Sequence, residues 1–75
     1  MSEPKILVLV FRTSIKDEEK VEIVKKRLSK LRYVSRITFD LEDIDNILRI
    51  EAFKNVSNAI IQSLRDIDLY CEELE

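Results

Sequence analysis

Few side chains in this 75-residue sequence could do chemistry. It holds one cysteine, Cys71, and no histidine, glycine or tryptophan. An internal disulfide, a multi-thiolate metal site, a serine–histidine or cysteine–histidine nucleophile and a glycine-rich phosphate cradle therefore all lack their parts. Carboxylates remain. Asp17-Glu18-Glu19 could offer oxygen ligands to a hard cation, but acids at the start of a helical pattern serve the helix macrodipole and need no ion. Asp40, Glu42, Asp43, Asp45 and Glu51 echo a calcium loop, yet its sixth position, where the sharp turn calls for glycine, is Asp45, so the stretch reads as a solvated hairpin. Asn55-Val56-Ser57 fits a glycosylation acceptor; with no secretory signal in view it reads as a helix cap. Cys71 reads as a small hydrophobe at a sheet edge. The sequence predicts a protein that is not an enzyme, with no catalytic or metal residues and no cofactor.

The elements that position these residues follow from hydrophobic period. Lys5 to Arg12 is β-branched and aromatic with apolar residues on both faces, the pattern of a central strand. From about Lys16 to Leu31, Val21, Val24, Leu28 and Leu31 recur at steps of three and four, which predicts an amphipathic helix. Acids at its start and Lys25, Lys26, Arg27 and Lys30 at its end complement the macrodipole, and Ser14 with Asp17 is the predicted capping pair. Tyr33 to Leu41 alternates, with Ile37, Phe39 and Leu41 on one face and Arg36, Thr38 and Asp40 on the other. Turn formers at 42–46 lead into Ile47 to Phe53, where Leu48, Ile50 and Ala52 are in phase, so the two strands predict a hairpin. A second helix is predicted from Val56 to Asp66, carrying Ile60, Ile61 and Leu64 inward and capped by Asn55 or Ser57. Leu69 to Leu74 is the predicted edge strand.

Size and charge narrow the function. A chain this short buries only about 60% of its unfolded surface, which leaves little for a deep substrate cavity. With 45% hydrophobic residues it is predicted to fold as a single domain over residues 1–75. Thirteen basic against fifteen acidic residues, net charge −2, give no general attraction to nucleic acid or to anionic membranes. The apolar run Ile6 to Phe11 is too short to span a membrane. A lone cysteine suits a reducing compartment, and the expectation is cytoplasmic. Lys25, Lys26, Arg27, Lys30 and Arg32 read as a solvated helix face, since a ferredoxin-like RNA binder would show stacking aromatics on its inner strands.

Strand, helix, strand, strand, helix, strand is the order of the ferredoxin-like split βαβ fold, an α+β sandwich with an antiparallel sheet and two helices on one face. The segments FRTSIK, ITFDLEDIDNILRIEA and VSNAIIQSL, over nearly the whole chain, resemble a heavy-metal-associated domain of the short stand-alone bacterial type. The resemblance implies copper or zinc carriage through two cysteines, separated by two residues, at the start of the first helix. Asp17 and Lys20 occupy those positions here. Soft Cu(I) and tetrahedral Zn(II) are held by thiolates, whereas an aspartate is a hard ligand and a lysine ammonium repels cations. The expectation is a degenerate motif and a module without metal. The alternatives are a copper or zinc carrier with non-standard ligands, recruiting Asp17, Glu18 or Cys71, and a regulatory domain that binds a small metabolite.

One stripe is left over. If Leu7, Leu9 and Phe11 face the helices, Ile6, Val8 and Val10 point to the open side of the sheet, where alternation normally sets polar residues. With Ile47 and Phe53 beside them and Arg36, Arg49 and Glu51 around, they make an apolar centre with a charged rim. These five residues are the predicted interface, for a second copy of the chain in a homodimer or for another protein partner.

Overall fold

Six elements follow one another along the chain: β1 (Leu7–Thr13), α1 (Glu18–Leu28), β2 (Val34–Asp40), β3 (Ile47–Ala52), α2 (Ser57–Arg65) and β4 (Cys71–Leu74). The computed structural model describes residues 5–42 and 44–74. The strands form one antiparallel sheet in the order β2-β3-β1-β4, so the two inner strands are β1 and β3. The architecture is α+β and ferredoxin-like.

The period-two pattern of the inner strands sets the layers. Leu9 and Phe11 of β1 face Ile50 and Leu48 of β3 in register, and all four are buried. Val21, Val24 and Leu28 on one face of α1, with Ile60 and Leu64 of α2, join the same cluster, so both helices cover one side of the sheet. Ile37 and Phe39 of β2 share that side but are only half-buried, because β2 has a neighbour on one edge alone.

The ends differ in detail from the sequence expectation. Asp17 itself caps α1, its carboxylate accepting from the Lys20 N–H at 2.9 Å, while the Ser14 hydroxyl instead accepts from the Tyr70 N–H at 3.0 Å. At α2 the capping residue is Val56, which has no suitable side chain; Asn55 Oδ1 accepts from the Ser57 N–H at 3.0 Å, and the Ser57 hydroxyl donates to the Glu73 carboxylate at 2.9 Å. That carboxylate complements the positive end of the helix and ties it to β4. The far end of α2 closes as a Schellman motif: Leu69 N–H donates to Leu64 C=O at 2.9 Å and Asp68 N–H to Arg65 C=O at 3.0 Å. Asp68 takes the left-handed position with φ 58°, where most proteins place glycine, and buried Leu69 sits in the core cluster with Leu64. Across the helix layer, Arg27 Nε donates to Ser63 C=O at 3.0 Å and its guanidinium lies 3.5 Å from Asp66, so one member of the basic cluster ties the two helices together.

Thr13 joins the other connections. Its buried hydroxyl donates to Asn46 C=O at 2.8 Å and accepts from the Ile15 N–H at 3.1 Å, while its own N–H reaches the carbonyls of Asp45 and Asn46. Thr13→Val keeps the shape and removes the hydroxyl, leaving the buried Ile15 N–H without its acceptor. The expected loss is about 1–3 kcal/mol, read by urea or thermal denaturation as a fall of several degrees or more in Tm. An unchanged midpoint would show that the hydroxyl contributes nothing.

Candidate functional site

Two places invite function: the loop that enters α1 and the open side of the sheet. At the loop, the resemblance would place thiolates at Asp17 and Lys20. The structure joins these residues through the cap hydrogen bond from Lys20 N–H to Asp17 Oδ1, so the carboxylate is already engaged with backbone. Glu18 and Glu19 follow in the first turn, exposed, where they complement the helix dipole.

Cys71 is brought close in sequence register but not in orientation. It pairs with Thr13, the last residue before the loop, yet its side chain is 6% exposed and belongs to the core cluster. Burial, and after it the charge of Glu73, pushes the Cys71 thiol up to about 11. A thiol held protonated at neutral pH is a poor nucleophile and a poor metal ligand. Among the described residues no three carboxylates or thiols converge as a cation site, and Asp43, part of the calcium-like stretch, lies outside them.

The open side is built by the register. Val8 faces Glu51, Val10 faces Arg49 and Arg12 faces Ile47 across β1 and β3; Arg36, Thr38 and Asp40 of β2 continue the rows against Glu51, Arg49 and Ile47. Charged side chains pair across them, Arg36 with Glu51 at 3.8 Å, Arg49 with Asp40 at 4.0 Å and Arg12 with Asp45 at 3.2 Å. Ile6, Val8 and Phe53 are 49%, 60% and 44% exposed. Val10 is half-buried between Arg49 and Leu74.

Ile47 departs from the expected stripe. It is 5% exposed, because its register neighbours on that side are the long Arg12 and Asp40, and Arg12 leans over toward Asp45. Ile44, 86% exposed, lies in the β2–β3 connection, while on the open side the exposed apolar area thus gathers near Val8, away from Ile47. Leu74 joins its margin opposite Val10. Sequence periodicity could not place it, since four residues of strand are too few to phase.

Comparison with family models and with curated proteins finds no match to this chain. Among the described residues no helix is long and apolar enough to cross a membrane.

The Cys71 shift has a consequence for stability. The folded state keeps the thiol protonated above the ordinary value of 9.0, where an unfolded chain has released the proton. Stability from this group is therefore whole below pH 9.0 and falls as pH rises through about 11. Tyr70, whose hydroxyl donates to the Glu72 carboxylate and is raised above its ordinary value chiefly by that bond, acts in the same direction. Urea midpoints measured from about pH 8 to 11 should fall, and Cys71→Val should make the fall shallower. Identical pH slopes for the two proteins would contradict the assignment to Cys71.

Proposed function

We propose that this chain is a non-enzymatic association module, related in fold to metal-chaperone domains but working without a metal, in the cytoplasm. Its open sheet face meets a protein partner. What supports this is the exposure of Ile6, Val8 and Phe53 together at one end of the sheet, beside a rim of paired charges. Apolar residues are isolated on most solvated sheet faces; grouped inside a polar rim they mark association surfaces. The metal-free reading draws on the cap hydrogen bond at Asp17 and on the buried, protonated thiol of Cys71. A cytoplasmic setting fits that single unpaired cysteine.

Two measurements test the two halves of the reading. Native mass spectrometry of the reduced protein after exposure to Cu(I) and to Zn(II) should return the metal-free mass; one tightly held ion per chain would overturn the metal-free half. A photoreactive benzophenone side chain at position 8, irradiated in cells, should yield a discrete adduct. Excess wild-type protein should suppress it and Val8→Lys protein should not. The same group at Ile23, 48% exposed on α1, serves as the control. No discrete adduct at position 8, or one competed equally by Val8→Lys, would overturn the association half.

A further inference from the structure

The sheet has a second unfilled boundary, its β2 edge. Of the two edge strands, β4 has four residues and β2 has seven. Soluble proteins guard long edges with proline, lysine, bulges or a covering loop. β2 reads Val-Ser-Arg-Ile-Thr-Phe-Asp, without proline or lysine. Its irregularity is confined to the start, between Val34 and Arg36; from Arg36 to Asp40 the pairing with β3 is regular. Beside this edge runs an open groove of about 540 Å³, bounded by Glu18, Val21 and Lys25 of α1 and floored by Ile37 and Phe39. An exposed, regular strand beside a groove is a template for one more strand.

We infer that the added strand is β2 of a second copy, paired antiparallel about a two-fold axis at Thr38, so that two four-stranded sheets become one. A two-fold axis perpendicular to a sheet sets residues of equal parity opposite each other and keeps the helices of both copies on the same side. Thr38 is the centre that lays the regular stretch 36–40 wholly onto itself. Arg36 then faces Asp40 of the second copy, twice by symmetry. Ile37 faces Phe39 on the helix side, where their half-buried surfaces meet. Thr38 faces its own equivalent. Opposite charges and apolar pairs directly across two strands are the favourable cross-strand combinations.

The charges already on the open side extend the match. Within one copy Arg36 lies 3.8 Å from Glu51 and Asp40 lies 4.0 Å from Arg49, long contacts in which Arg36 is largely in solvent and the other side chains are partly exposed. Across the seam the charged contacts run Glu51, Arg36, Asp40, Arg49, alternating in sign through both copies, with Arg49 reaching Asp40 diagonally from the position opposite Thr38. The inference does not rest on the open-face reading, since Ile6, Val8 and Phe53 take no part in the seam.

The test is mass in solution for the full chain of 8.9 kDa, by sedimentation equilibrium and native mass spectrometry. The wild type is expected at twice that mass. Arg36→Asp alone and Asp40→Arg alone each set like charges opposite one another at two places, and each should raise the dimer dissociation constant by at least about tenfold. Mixed together, the two variants restore opposite charges at both places and should form the mixed dimer in preference to either homodimer. Far-ultraviolet circular dichroism confirms that each variant is folded. Val8→Lys should leave the dimer intact. A wild type that stays at 8.9 kDa at high concentration, single variants that dimerise as well as the wild type, or a mixture that forms no mixed dimer would each overturn the seam.

Discussion

The Thr13 hydroxyl is the contact on which the arrangement of the chain depends. At the end of β1 the polypeptide must leave the sheet, enter the loop to α1 and still hold the β2–β3 connection against the same end. One buried oxygen serves both, donating to Asn46 C=O and accepting from the Ile15 N–H. The Asn46 backbone lies in the left-handed region, φ 49°, and is held there by the Thr13 N–H as well. With Ile15 fixed, its fully buried side chain plugs the end of the core, and the chain emerges at Asp17 in position to cap α1. Cys71, opposite Thr13, starts β4 at the same end, and Ser14 and Tyr70 exchange hydrogen bonds just beyond it.

A chain without glycine has to make its sharp turns by other means. Among the described residues the left-handed ones are Asn46 and Asp68, whose short polar side chains make that region least costly after glycine. At Asp68 the Schellman closure satisfies carbonyls at the end of α2 and brings Leu69 into the core. The same economy of means shows at the start of that helix, where β4 supplies through Glu73 the carboxylate that Val56 cannot.

The fold was legible because its signals are local and repeated: period two in β1, β2 and β3, period near 3.6 in the helices, acids and bases at opposite ends of α1. Strand order followed from the split βαβ rules. What was illegible depended on partners distant in sequence. That Asp17 caps without Ser14 is decided by Tyr70, 56 residues from Ser14. That Ile47 is covered is decided by Arg12 and Asp40 beside it, and no alternation rule carries the length of a neighbouring arginine. The register sets Val8 and Val10 on the open side, but parity is blind to how much of a face is shielded. The edge position of β2 follows from the same rules, but the stretch that pairs regularly, Arg36 to Asp40, is set by the irregularity between Val34 and Arg36, which no alternation shows.

Those unsatisfied boundaries share one physical origin. A four-stranded sheet with two helices on one side has enough apolar side chains to fill a single layer of core, and Phe11, Leu48, Ile50, Ile60 and Leu64 are fully spent on it. Among the described residues, no helix covers the opposite side of the sheet and no strand the outer edge of β2. Charge pairing shields one end of the open side, over Ile47, and leaves the other apolar; among the described residues nothing comparable closes the β2 edge, whose main-chain donors and acceptors on that side turn to solvent. Specificity then has to come from the side chains flanking the backbone ladder, because the ladder itself would accept any strand. In β2 those side chains are Arg36 and Asp40, opposite in sign and equally spaced from Thr38, which is the arrangement that selects a copy of itself.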